Sequence, residues 1–177
     1  MLIPTRRLLW CCWLALIVAV AVSLDTRWLN VAGMAGAAFL SIIMLDGLIL
    51  LKRQLPTLRR RCTHAMALGV TSEVHIRMHN PTRRSMHVQC HDHPPEILPT
   101  RQLPQSCRIA PGGWVELSYE VVPSRRGEYT FTHVQARLSS ALGLWWRQWK
   151  QDEQQTVRVY PDFKALTRYA LLATDHR

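Results

Sequence analysis

Cys90-His91-Asp92-His93 is the stretch of this sequence whose side chains most resemble metal ligands. On an extended strand alternate side chains share a face, so His91 and His93 would point the same way, about 6.5 to 7 Å apart and within reach of one zinc ion. No second ligand pair stands at a recognised spacing, and Pro94-Pro95 ends the strand at once. Cys90, His91 and His93 are therefore a candidate metal site set against a plainer reading, an exposed strand end. No cofactor is expected. No nucleophile motif, phosphate-cradling glycine loop or paired-carboxylate arrangement is visible, and Ser139-Ser140 and the scattered histidines do not substitute for one. The sequence reads as that of a non-enzyme. The other chemically unusual residue is Asp46, an acid inside an otherwise apolar run.

The elements that must carry these residues fall into two classes. Leu8 to Leu24 and Val31 to Leu51 are apolar stretches of spanning length, the second interrupted only by Asp46, and the short Asp25 to Asn30 connection makes residues 1–53 a helical hairpin. Trp10, Trp13 and Trp28 could mark its interfacial ends. A carboxylate at the bilayer centre costs roughly 2.5 to 3.5 kcal/mol, which the surrounding Leu, Ile, Phe and Val residues offset at about 0.3 to 0.6 kcal/mol each. Asp46 is then expected to be protonated, to snorkel towards Lys52 and Arg53, or to face the other helix. Arg6 and Arg7 before the first span, and Lys52, Arg53 and Arg59 to Arg61 after the second, outweigh Arg27 in the turn, so both ends should be cytoplasmic. Ala21-Val22-Ser23 gives a rival reading of the first span as a cleaved signal peptide. Ala32, Gly33, Gly36, Ala37 and Ala38 form a small-residue face suited to close approach by the first helix or, in a homo-oligomer, by a second copy.

Residues 54–63 read as a basic linker lying against anionic headgroups. Beyond it the period changes to two. Val74, Ile76 and Met78 alternate with polar residues until Asn80-Pro81, and Met86, Val88 and Cys90 repeat the pattern, which predicts a hairpin of two paired strands. Pro111-Gly112-Gly113 and Arg125-Arg126-Gly127 are turns flanking a strand over Trp114 to Val122, with Val115, Leu117, Tyr119 and Val121 on one face. Strands over Tyr129 to Leu138 and Thr156 to Tyr160 complete a set that predicts an immunoglobulin-like β-sandwich over residues 64–161. Gly127 should supply a positive-φ turn, and Arg126 and Arg137 should pair with nearby carboxylates or carbonyls. Trp145, Trp146 and Trp149 either continue a core strand or form a partner surface. Phe163, Leu166, Tyr169 and Leu172 suggest a short C-terminal helix in residues 162–177. The fold expected is thus a two-helix transmembrane hairpin plus an all-β domain.

The formal charge of +10 raises nucleic acid as a ligand, but the arginines are scattered and no aromatic-interleaved motif accompanies them, so a membrane-facing role is preferred. Two of the five cysteines, Cys11 and Cys12, lie in the first apolar stretch. Cys62, Cys90 and Cys107 form no disulfide framework, and free thiols fit a reducing compartment.

Asp92-x-Pro94-Pro95, then Tyr119 with Pro123, Arg126-Gly127 and Tyr129, then Arg137, Leu142-Gly143-Leu144 with Arg147 behind it, then Val159-Tyr160-Pro161, resembles the bacterial domain-of-unknown-function-58 family in order and spacing. The two preceding spans with an acid late in the second fit as well, and the resemblance covers almost the whole chain. It implies a membrane-anchored accessory protein of the bacterial inner membrane with a cytoplasmic β domain, associated with a MoxR-type AAA+ ATPase and with transglutaminase-like or von Willebrand factor A proteins. Members of that family continue beyond the Tyr-Pro segment into a von Willebrand factor A-like region, so this sequence resembles an N-terminal portion or a truncated member. The readings that follow are a scaffold presenting the β domain to protein partners, a metal-binding or metal-sensing membrane protein, and a non-functional truncated remnant.

Overall fold

The computed structural model describes residues 1–23, 28–100 and 102–161. The expected Asp25 to Asn30 turn falls largely outside them, as does the C-terminal helix. In chain order the elements are β1 (Leu2–Pro4), α1 (Arg6–Ser23), α2 (Leu29–Lys52), β2 (Thr57–Cys62), β3 (Ala65–Ala67), β4 (Ser72–His79), β5 (Met86–Asp92), β6 (Gln105–Ile109), β7 (Trp114–Val121), β8 (Gly127–Ser139) and β9 (Trp145–Tyr160).

Both helices are long and apolar enough to cross a membrane. Most of their surface is uncovered: only 6% of the apolar window of α1 and 22% of that of α2 is buried, unlike core helices of a soluble domain. On α2 the buried positions are Ile43, Asp46, Gly47 and Leu50, a stripe at helical spacing that faces the β domain. Met44, Leu45 and Leu48 on the other side stay exposed. The small-residue face is not a tight contact with α1, for a Cβ at Gly33 or Gly36 would meet nothing within 4 Å. Ala32, Ala35 and Gly36 instead border an apolar gap of about 530 Å³ between the helices.

The strands form a β-sandwich. One sheet has the order β1-β9-β8-β5-β6, with β3 pairing parallel to β9; the other is β2-β4-β7. The alternation read from the sequence is present: Val74, Ile76 and Met78 of β4 and Met86, Val88 and Cys90 of β5 are fully buried. These residues meet Leu58, Tyr119, Phe131, Val134 and Leu138 in one core, which Leu50 of α2 also enters. Burying a leucine there is worth about 1.5 to 3 kcal/mol, so the second helix is part of the domain it precedes.

Two expectations are corrected. β4 and β5 are not a hairpin: β4 pairs with β2 and β7, β5 with β6 and β8, and their apolar faces meet across the core. Asn80 sets this crossing, because its buried amide donates to the carbonyls of Arg84, Ile109 and Ala110 while its oxygen accepts from the Thr82 N–H and hydroxyl. The bonds turn the chain out of one sheet and tie it to the end of the other. The supposed basic linker is also structured, since Thr57–Cys62 is strand β2, antiparallel to β4, with Leu58 and Arg60 inside. Of its arginines, Arg59 and Arg61 remain on the outer face, with Thr57. A strand's period of two sorts adjacent arginines to opposite sides.

Trp145, Trp146 and Trp149 belong to β9, which continues without a break into the expected Thr156 to Tyr160 strand, and all three are half-buried.

Candidate functional site

Two carboxylates organise the molecule. Asp92, at the end of β5, is fully buried. Its Oδ2 accepts from Arg60 Nε at 2.8 Å and from the Tyr119 hydroxyl at 2.6 Å, Oδ1 accepts from Arg60 Nη2, and the same oxygen takes the His93 N–H at 2.8 Å. The Arg60 guanidinium also donates to the Glu153 carbonyl and covers the Phe131 ring with its carbon 4.8 Å from the centroid. The group joins β2 and β7 of one sheet to β5 of the other. Burial, with the Asp92 carboxylate second, pushes the Tyr119 phenol above its ordinary range, so it acts only as a donor.

Asp46 sits where α2 meets the β8–β9 turn. Its Oδ1 accepts the Leu142 N–H at 3.2 Å, while Oδ2 is buried without a hydrogen-bond partner. It forms no ion pair with Lys52 or Arg53 but takes a backbone amide of the turn. That turn is self-supporting: Ser140 Oγ accepts from the Leu144 and Trp145 N–H groups, and Gly143, at φ +71°, provides a left-handed residue. Thr5 ties it to the first helix. Thr5 N–H donates to the Leu144 carbonyl and its hydroxyl to the Gly143 carbonyl, and the same hydroxyl accepts from Leu8 N–H as the N-cap of α1. Beyond the turn, Trp145 packs on Gly47 and its Nε1 donates to the Ile43 carbonyl at 3.1 Å. Arg147 Nη1 donates to the carbonyls of Leu50, Leu51 and Arg53, covering orphan acceptors at the C-terminus of α2 with a cation. This clamp joins the starts of α1 and β9 to the end of α2.

Some of the residues singled out in the sequence collect at two places. Asp92 and Tyr119 form the core group, and Asp46, Leu142, Gly143, Leu144, Trp145 and Arg147 form the clamp. Arg60 completes the first and Thr5 the second; Leu58 alternating with Arg60 is the one local signal for the former, and nothing local marks the partners of the latter. Gly127 has φ +146°, and a Cβ there would lie 3.1 Å from the Tyr129 hydroxyl, which donates to the Arg126 carbonyl. The Arg126 side chain is exposed, without an ion pair among the described residues, and Arg137 bonds Gln148 rather than a carboxylate. Pro123 is buried, whereas Tyr160 and Pro161 are exposed. Pro95 lies in the connection after β5, where its carbonyl accepts the Leu98 N–H.

The proposed ligand trio does not converge. Cys90 is buried in the core, and burial followed by the Asp92 charge pushes its thiol up to about 12, so it is a protonated packing group. His91 and His93 share the opposite face, as alternation requires, with ring centroids 4.6 Å apart and His133 4.8 Å from His93. His93 Nε2 lies 2.9 Å from Gln135 Oε1. Burial first and His93 second hold the His91 imidazole below its ordinary pKa. Among the described residues no group of three His, Cys, Asp or Glu side chains is arranged to hold a metal ion.

No protein-family model matches the chain, and no curated protein does. Solved structures match part of the chain at low similarity. Alpha-2-macroglobulin of E. coli matches at 21% identity and TM-score 0.46, covering 60% of this chain and 7% of that one. A FixG-related protein from Vibrio parahaemolyticus matches at 9% identity and TM-score 0.42, covering 60% of this chain and 98% of that one. The CARDB domain of a Pyrococcus furiosus protein matches at 11% identity and TM-score 0.35, covering 60% of this chain and 90% of that one.

Proposed function

We propose that this protein is a membrane-anchored scaffold whose helices hold an immunoglobulin-like sandwich rigidly at the cytoplasmic face of a bacterial inner membrane, where it presents a surface to protein partners. The observation that carries the reading is the clamp. A domain merely tethered to a membrane needs only a linker, whereas here Asp46 is bonded to the β8–β9 turn, Ile43 and the last turn of α2 are bonded to Trp145 and Arg147 of β9, and Leu50 enters the sandwich core. Such an arrangement fixes the orientation of the sandwich relative to the bilayer.

It also explains how an acid is accommodated. The turn bonded to Asp46 is bonded through Thr5 to the start of α1, so the two lie at one level. From Leu29 to Asp46 α2 is as long as α1, about 27 Å, close to the hydrocarbon thickness of a bilayer. Asp46 then stands at the level of the headgroups and not at the bilayer centre, and the desolvation cost of a carboxylate is far smaller there than at the centre.

The resemblance to the domain-of-unknown-function-58 family suggests the partners, a MoxR-type AAA+ ATPase or a von Willebrand factor A protein. Affinity capture of the C-terminally tagged full chain from gently solubilised native membranes, with an untagged control and mass spectrometry, tests this. Specific recovery of such a protein is expected. Repeated isolation of abundant, folded chain alone would overturn the scaffold reading.

A further inference from the structure

At the end of the sandwich nearest the helices, two hollows adjoin. One, of about 640 Å³, is lined by Arg6, Arg7, Thr5 and Trp146. The other, of about 650 Å³, is lined by Arg53, Arg83, Arg84 and Arg108. They share the wall formed by His87 and Ser139 to Ala141, and no carboxylate among the described residues lines either. Within the described residues none of the six arginines is in an ion pair: the carboxylates bonded to arginine are Asp92, with Arg60, and Glu128, with Arg158. Arg108 Nη2 reaches only the Ser85 hydroxyl, at 3.2 Å. Six guanidinium groups thus border one groove with no carboxylate of the described residues among them, and guanidinium donors match the oxygens of a phosphate two at a time.

The place of the groove selects the anion. Arg6 opens α1 and Arg53 caps α2, so the groove lies where both apolar helices leave the sandwich. Next to it Leu142 is 54% exposed, and Trp10 on the second turn of α1 is 75% exposed, an aromatic at the level expected of an interfacial anchor. We infer that this groove binds the phosphodiester headgroup of an anionic phospholipid, with Arg83, Arg84 and Arg108 on the sandwich and Arg6, Arg7 and Arg53 at the helix ends holding the phosphate. The inference rests on the membrane-anchored reading above.

The full chain in mild detergent, studied by native mass spectrometry with phosphatidylglycerol, phosphatidylcholine of the same acyl chains, or glycerol phosphate, provides the test. Each arginine near an anionic headgroup contributes about fivefold in affinity. Phosphatidylglycerol should be retained at least about tenfold over phosphatidylcholine, and Arg83→Gln/Arg84→Gln/Arg108→Gln should abolish the preference without lowering Tm. Arg83→Gln alone, on an exposed connection, should weaken it about fivefold, which keeps the test intact if the triple variant unfolds. Equal retention of the two lipids, or an unchanged preference in the variants, would overturn the assignment. So would glycerol phosphate binding as tightly as the lipid, which would make this a soluble-phosphate site, or displacement of the lipid by a short DNA duplex, which would make it a nucleic-acid surface. Alkaline carbonate extraction of the native membranes separates the two readings. Release of the chain removes both, whereas a chain that stays in the membrane and shows no lipid preference removes the groove alone.

Discussion

Asp92 and Asp46 are both carboxylates withdrawn from water, and they are treated in opposite ways. Asp92 is surrounded by donors on both oxygens: an arginine, a phenol and a backbone amide. Asp46 has one amide donor and one bare oxygen. A fully enclosed charge in a sandwich core has nowhere to shed its desolvation penalty, so it must be matched completely or not exist. A carboxylate at the edge of an apolar helix can be only half matched, because its function is positional: it holds a turn by one bond. The first is a structural rivet between sheets and the second a latch between helix and sheet.

Breaking the rivet should have the largest effect. Arg60→Met leaves Asp92 as an uncompensated buried charge and should cost about 3 to 5 kcal/mol of sandwich stability, read by denaturant unfolding of the detergent-solubilised chain. Arg60→Met/Asp92→Leu/Tyr119→Phe should recover part of that loss, since it removes the stranded charge and the phenol that bonded it and leaves only the His93 amide without its acceptor. Next in size is the helix end of the latch. Arg147→Ala removes a donor from the carbonyls of Leu50 and Leu51 in α2 and of Arg53 just beyond it and should cost about 1.5 to 3 kcal/mol, seen as faster hydrogen exchange in the last turn of α2 and faster cleavage after Arg53. Asp46→Asn keeps an acceptor for Leu142 and should change stability by less than about 1 kcal/mol, whereas Asp46→Leu orphans that amide and should cost about 1 to 3 kcal/mol. Similar losses for Asp46→Asn and Asp92→Asn would erase the distinction drawn between the two acids.

The smallest expected effect is one of pH. The folded state holds His91 below its ordinary pKa, by burial and then by His93, so the unfolded chain binds more protons in the window from about 6.5 downwards. Stability present above about pH 6.5 should decline as pH falls through that window until the folded-state pKa is passed. Unfolding midpoints measured from pH 7.5 to 5 should show a shallow slope there, flattened in His91→Gln, and an unchanged slope in the variant would remove His91 as its source.

Much of this was legible in the sequence, for identifiable reasons. Val74, Ile76 and Met78 and their counterparts in β5 and β7 revealed their buried faces because alternation is a local property. Asp46 stood out because an acid in an apolar run is anomalous whatever it contacts. Arg60 did not stand out, since it is flanked by Arg59 and Arg61 and the composition of the run concealed its alternation. The strand partners of β4 and β5 were misread for a related reason: proximity in sequence favours a hairpin, and the bonds of Asn80 that oppose it reach carbonyls of Ile109 and Ala110 far along the chain. The clamp was hidden altogether, because Asp46 and Leu142, or Arg147 and Leu50, carry no mark of each other until the chain is folded.

Strand β1 gives the molecule an order of manufacture. Leu2, Ile3 and Pro4 pair with Arg147, Trp146 and Trp145 of β9, so these residues wait through the synthesis of more than a hundred others for their neighbours. At about 5 to 20 residues per second the interval is on the order of ten seconds. Through all of it the two apolar helices must already have left the exit tunnel for whatever receives them, with the leading strand waiting beside Arg6 for its edge to be synthesised. Closure of that sheet is therefore a late event in biogenesis, and it requires β1 and β9 to lie on one side of anything the two helices cross.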